Sequence, residues 1–196
     1  MSIKTWIPGF IAAALALAVG AAGASTVVST VGDKDGLGLG LANGDGFNFR
    51  LVGPADADGT DEWHDGNFSF VHDYALAGPI TSASIELFSG GWGLDAPAGL
   101  YLDNTFVGNL TDGDDVGPLY NDAYKDIFDL TPFAALLTGH DTCEIRPPRG
   151  IDDTGALDYA QLTVTTAGVT AVPEPGTHAL VALALVALVT VRRRRK

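Results

Sequence analysis

Short runs in which apolar and polar residues alternate, broken repeatedly by glycine and aspartate, leave this chain few architectures. Ile80–Phe88 is the clearest: Ala83, Ile85 and Leu87 fall on one side, Ser82, Ser84 and Glu86 on the other. A period of two belongs to an extended strand with one buried face, because successive side chains point to opposite sides. Ser25–Val31 is β-branched, and Ala156–Thr166 alternates over most of its length. Phe47–Val52 sets Phe47, Phe49 and Leu51 against Asn48 and Arg50, and Phe68 and Phe70 open a further strand that His72 extends. Tyr124–Leu130 and Asp141–Arg146 also read as strands. Leu100–Leu102 and Thr105–Val107 flank Asp103-Asn104. Both of those residues tolerate positive φ, so a tight type I′ hairpin is expected. The helical signal is Thr131-Pro132 followed by FAALLTG, with a Thr cap, a proline at the first position and Gly139 as the stop. Some eight short strands with turn-rich joints predict an all-β domain, a single antiparallel β-sandwich of jelly-roll type.

Two terminal segments stand apart from that domain. At the N-terminus Lys4 supplies a positive charge, Ile7–Val19 an apolar core, and Ala22-Gly23-Ala24 a small-x-small site. Residues 1–24 therefore read as a signal peptide, cut by signal peptidase between Ala24 and Ser25. At the C-terminus, residues 172–196 read VPEPGTHALVALALVALVTVRRRRK. Pro173 and Pro175 hold the backbone extended around Glu174, since each ring fixes its own φ and steers the preceding residue out of the α region. An apolar run from Ala179 to Val191 follows, then Arg192, Arg193, Arg194, Arg195 and Lys196. As a helix, residues 177–191 would reach roughly 22 Å at ~1.5 Å per residue, short of a ~30 Å bilayer core unless the bilayer thins or the flanking side chains reach outward. The five cations are expected to stay cytoplasmic.

The triplet, the transmembrane helix and the arginine block, in that order, closely resemble the PEP-CTERM sorting signal of Gram-negative bacteria. The resemblance implies that a membrane-embedded exosortase cuts near Pro173-Glu174-Pro175. The chain would then be exported through the inner membrane, transiently anchored there, and released to the cell surface or extracellular matrix. An ordinary tail anchor would need only the apolar span and flanking charge. The stretches GDKDGLG and DDTGALDYAQLTV also look similar to ectodomains on other PEP-CTERM proteins, a likeness that brings no catalytic residues.

Residues 25–171 form the ectodomain, about 150 residues and long enough for one real core. The chain's formal charge of −13 understates its acidity. Five basic residues (Lys34, Arg50, Lys125, Arg146, Arg149) face 23 acidic ones between 25 and 171, a net of −18. Nucleic acid and anionic lipid are poor partners for such a surface. Twenty of those acids are Asp, which is suited to turns and to calcium ligation. The lone Cys143 cannot form an internal disulfide and, within the strand-like TCEI, reads as a small core residue.

Four acidic clusters fall in loops: Asp33 with Asp35; Asp56, Asp58, Asp61 and Glu62; Asp112, Asp114 and Asp115; Asp152 with Asp153. Calcium takes six to eight oxygens, which Asp-rich loops supply, although no EF-hand spacing occurs. The expected pairing is Asp33 and Asp35 with Asp152 and Asp153, because the first and last strands of a sandwich are often neighbours. The competing reading is turn chemistry on a soluble surface. Trp63 and Trp92 sit in loops, where an exposed indole could stack on a sugar ring or fold back to close the sandwich. There is no G-x-S-x-G, H-E-x-x-H or phosphate-binding glycine loop, and His64, His72 and His140 lack zinc spacing. With so many acids, some pair falls at any chosen distance, so a glycoside hydrolase has no specific support. The expectation is a non-catalytic surface or matrix protein with a structural or adhesive role in extracellular polysaccharide. A carbohydrate-binding module is the alternative, and a polysaccharide-active enzyme a distant third.

Overall fold

Four antiparallel pairings nest inside one another along the chain, as in one long hairpin rolled up. The computed structural model describes residues 23–93, 96–113, 121–149 and 153–168. Among these residues the strands are β1 (Ser25–Gly32), β2 (Asp45–Phe47), β3 (His64–Asp65), β4 (Phe68–Asp73), β5 (Ile80–Gly90), β6 (Gly99–Leu102), β7 (Thr105–Asn109), β8 (Asn121–Asp129), β9 (His140–Arg146) and β10 (Thr154–Thr166). β6 pairs with β7, β5 with β8, β4 with β9 and β1 with β10. Two further ladders, β10–β5 and β6–β9, fold this hairpin into facing sheets. One sheet runs β1-β10-β5-β8-β2, with β3 beside β10, and the other β4-β9-β6-β7. The eight main strands thus make the jelly roll that the alternating pattern predicts.

The interior is where the inward faces meet. Ile85, Leu87, Ala160, Leu162 and Val164 of the larger sheet pack against Phe68, Phe70, Leu100, Leu102, Cys143 and Ile145 of the smaller. Ala83, Ile85 and Leu87 are all buried, as the period of two requires. Burial also pushes the Cys143 thiol up to about 12, so it is a packed core atom. A second, smaller cluster (Leu37, Phe47, Phe88, Ala123, Ala156, Tyr159) lies across the other face of the larger sheet. The glycine-rich segment following β1 covers it, and Leu37 of that segment is fully buried.

Local chemistry accounts for the hairpin and for two departures from expectation. Asp103 and Asn104 have φ of +45° and +66°, as the predicted turn needs. Phe47–Val52 is not a strand: pairing stops at Phe47, and Phe49–Leu51 forms a 3-10 turn. Asn48 Oδ1 accepts the Arg50 N–H at 3.0 Å, a local bond that competes with sheet pairing. The predicted helix at 131–138 shrinks to a 3-10 turn over Thr131–Phe133. Thr131 does not cap it, because Thr131 Oγ1 instead accepts Ala83 N–H of β5 at 3.2 Å.

Among the described residues no helix is long and apolar enough to cross a membrane. The expected signal peptide up to residue 22, Pro173-Glu174-Pro175, the span Ala179–Val191 and the cations Arg192–Lys196 lie outside the described residues. Ala24 and Ser25 lie inside them: Ala24 is exposed coil and Ser25 opens β1.

Candidate functional site

Two polar sites stand out, and they are built differently. The first is an acidic nest where the segments after β1 and before β3 meet β10. One carboxylate oxygen from each of Asp33, Asp35, Asp61 and Asp158 lies within 4.8 Å of the others. Asp158 gets there through a bulge. The β10–β5 register slips between Leu157 and Tyr159, so Asp158 is the extra residue and its side chain is re-aimed. Asp61 is placed by its backbone, at φ +56° with its N–H bonded to Leu157 O at 2.9 Å. Gly32 allows the approach of β1: a Cβ there would sit 1.9 Å from Asp158 O. Asp58 fastens the same loop to β1 by accepting the Gly32 N–H at 2.8 Å.

Backbone amides orient three of the four acids. Asp158 Oδ1 accepts Gly36 and Leu37 N–H at 3.0 and 3.1 Å, Asp35 Oδ1 accepts Gly38 N–H at 2.6 Å, and Asp33 Oδ1 accepts Asp35 N–H at 3.1 Å. Each of these bonds uses Oδ1 and leaves Oδ2 free of them. Asp61 and Asp158 are 2% and 1% exposed, while Asp33 and Asp35 face solvent. Asp61 Oδ1 is buried without a hydrogen-bond partner among the described residues. No ion pair among those residues includes any of the four. Burial, followed by a side-chain hydrogen bond with Asp35 and by the charges of Asp35, Asp158 and Asp33, pushes the Asp61 carboxyl up to about 8. Burial also raises Asp158, against the amides that lower it. Two unit charges about 4.8 Å apart repel by roughly 3 kcal/mol at an effective dielectric near 20.

The second site is a groove of about 760 Å³ on the outer face of the smaller sheet, lined among others by Asn67, Tyr101, Asn104, Phe106, Glu144 and Arg146. Strand alternation puts these residues here: Leu100, Leu102, Cys143 and Ile145 point into the core, so Tyr101, Glu144 and Arg146 point out. The Arg146 guanidinium lies 4.2 Å from the Tyr101 ring centroid and donates to Glu144 Oε2 at 2.5 Å and Asn104 Oδ1 at 2.6 Å. Asn67 Nδ2 donates to Glu144 Oε1 at 2.7 Å. Phe106 meets Tyr101 edge-on, with centroids 5.5 Å apart, and stays 49% exposed. Arg149 also lines the groove, so two of the ectodomain's five basic residues gather here.

The expected pairing of acids is corrected in part. β1 and β10 are neighbours, as anticipated, but Asp153 is not a member of the nest. Its Oδ2 accepts Gly93 N–H at 2.8 Å and its Oδ1 accepts Thr154 N–H at 2.9 Å, closing the loop after β5 onto the start of β10. Asp152 lies outside the described residues. Asp61 and Asp158 take the places expected of Asp152 and Asp153. The sequence does hold a signal for Asp158: counting back by two from Val164, Leu162 and Ala160 puts an acid on the inward face, which only a bulge relieves.

Trp92 is no sugar platform. It is 1% exposed and packs on Gly155, where a Cβ would come within 2.4 Å of the indole. A large apolar ring at the end of the sandwich gains more by burial than by exposure. Trp63 is half-buried, edge-on to Phe47 at 6.3 Å and tilted against Phe49 at 5.2 Å. Among the described residues the most exposed Phe, Tyr or Trp ring is that of Phe106, which alternation in the hairpin could have flagged.

A family model described as the PEP-CTERM protein-sorting motif matches residues 171–196. The chain therefore carries that sorting motif, as its triplet, apolar run and arginine block indicate. No curated protein matches the chain. Among solved structures, BuGH86 in complex with neoagarooctaose is similar at 14% identity and a TM-score of 0.37, over 72% of this chain and 20% of that one. A substituted form of the same protein in the same complex gives the same identity and score over 19% of its length. The chain thus spans about a fifth of these structures, and a likeness this low carries nothing about function.

Proposed function

From the premise that residues 171–196 are a PEP-CTERM sorting motif, we propose a surface or matrix protein handled by an exosortase. The chain is exported through the inner membrane, held there by the tail and released to the cell exterior. Its jelly roll then serves a non-catalytic, structural or adhesive role within exopolysaccharide or biofilm matrix. The sorting motif is the observation that carries this reading. The apolar N-terminal run and the strand opening at Ser25 fit it, since removal of residues 1–24 leaves β1 whole. Mass spectrometry of the protein recovered from outside the cell tests the reading. The expected species begins at Ser25 and lacks Arg192–Lys196, and its yield depends on the exosortase. Exterior protein that retains the arginine block would overturn it.

A second reading, glycan binding, is supported by the groove rather than by the tryptophans. An exposed ring (Phe106) beside fixed amide, carboxylate and guanidinium groups offers an apolar face and a polar rim, the combination small-ligand sites use. Glycan-array binding by the full-length chain should fall at least ~10-fold in Phe106→Ala and Arg146→Ala, a loss of ~1.4 kcal/mol or more. It should be unchanged in Trp63→Ala. Binding that follows Trp63 instead would sink the groove assignment.

A further inference from the structure

We propose that Asp33, Asp35, Asp61 and Asp158 form a calcium site that locks the segments after β1 and before β3 onto the bulge of β10. Four carboxyl groups converging within 4.8 Å call for compensation, by a proton on Asp61 or by a cation that displaces it, and no ion pair among the described residues supplies it. A cluster of acids alone would not carry this, because surface acids commonly cluster without a ligand. The independent observation is Asp61: its side chain is 98% buried, aimed into the cluster, and leaves Oδ1 without a hydrogen-bond partner. An unpaired carboxylate oxygen taken out of water is costly unless an ion or donor meets it.

The donor chemistry selects the ion. Every candidate ligand is oxygen, which fits a hard cation and disfavours zinc or copper. The ligands come from three chain segments with irregular spacing, and calcium tolerates an irregular shell where magnesium demands a near-ideal octahedron. Backbone N–H groups already fix Asp33, Asp35 and Asp158 through Oδ1, which holds the three carboxylates in place before any metal arrives. Such outer bonds orient metal ligands in advance. Asp33 and Asp35 face solvent and give the ion a way in, while Asp61 and Asp158 form the floor.

The test uses the full-length chain, stripped with chelator and then titrated with CaCl2 by calorimetry, with melting followed in parallel. Calcium at ~100 times its Kd should raise Tm by about 5–10 °C. Matched NaCl should do much less, and MgCl2 should shift Tm less than calcium does. Asp61→Asn should take away most of the calcium shift, so that with calcium it melts below the parent. Asp35→Asn, at a solvent-facing ligand, keeps the test valid if the buried variant does not fold, and should weaken calcium binding at least ~10-fold, or ~1.4 kcal/mol. An absent calorimetric signal would overturn the proposal. So would an equal response to magnesium, or an equal calcium shift in the parent and both variants, which would mark general screening of an acidic surface.

Discussion

In the nest, four carboxylates from three chain segments face one another, and two of them are buried with no ion pair among the described residues. In the groove, Arg146 already meets Glu144 and lies on Tyr101, and Asn67 and Asn104 complete the network at the surface. The nest holds acids alone and is held by backbone; in the groove Arg146 is matched by Glu144 and the network is held by side chains. An unbalanced, rigid set of like charges suits a compact counter-charge. A hydrogen-bonded, exposed set beside a bare ring suits a broad ligand that exchanges one set of hydrogen bonds for another. The two sites therefore differ in what damages them: backbone geometry in the first, side-chain chemistry in the second.

Substituting one glycine near each site gives the largest expected contrast. Gly32→Ala puts a Cβ 1.9 Å from Asp158 O at φ +83°, against β10 backbone that no side chain can relieve by turning aside. The expected loss in urea unfolding is about 3–5 kcal/mol, the range of severe single substitutions. Gly99→Ala in the groove would meet the rings of Phe106 and Tyr101 at 3.0 and 3.1 Å, side chains at the surface that can turn aside. A loss of about 1 kcal/mol or less is expected there. Comparable losses at the two positions would break the contrast between backbone-held and side-chain-held order.

Acid offers a second lever on the smaller sheet, through a residue of β4 on its inward side. His72 is fully buried, with Nδ1 3.1 Å from Ser29 Oγ of β1 and Nε2 unpartnered among the described residues. Burial lowers its pKa to about 4, against the opposing pull of Asp141. The folded value lies below the ordinary 6.5, so the proton favours the unfolded chain. The stability tied to the neutral ring is complete above pH ~6.5, declines as pH falls towards 4 and is gone below it. A shift of that size corresponds to about 3 kcal/mol. Urea titrations across this window should show a shallower loss for His72→Phe than for the parent. Equal slopes would remove His72 from the acid response.

The smallest expected effect on folding is at the groove's ring. Phe106→Ala removes a half-exposed side chain, and chemical denaturation should change by about 1 kcal/mol or less. A larger loss would make Phe106 part of the fold rather than a free ligand platform.

Where a residue's surroundings are set by its own strand, the sequence could be read directly. Alternation puts Ala83, Ile85 and Leu87 in the core, and tolerance of positive φ makes Asp103-Asn104 a tight turn, as both are in the fold. β1 and β10 were expected to be neighbours because first and last strands often are, and they pair over the whole of β1. The nest was only half visible for a different reason: its members are set by contacts between distant segments. Asp158 receives amides from Gly36 and Leu37, 122 and 121 residues away, and Asp61 is fixed by a bond to Leu157 O. Asp61 stood among other loop acids with nothing local to single it out. Trp92 was placed by polar and glycine neighbours along the chain, whereas Gly155, far off in sequence, makes room for its ring.

The last rung of β1–β10 joins Ser25 to Thr166, so the two ends of the folded unit leave from the same edge of one ladder. A pull between those ends would peel this ladder apart rung by rung. A tug on the tail side alone meets a different resistance, because β10 lies between β1 and β5 and is gripped by both. Whatever hangs from the end of β10 is thus tethered to the interior of a sheet instead of its fringe.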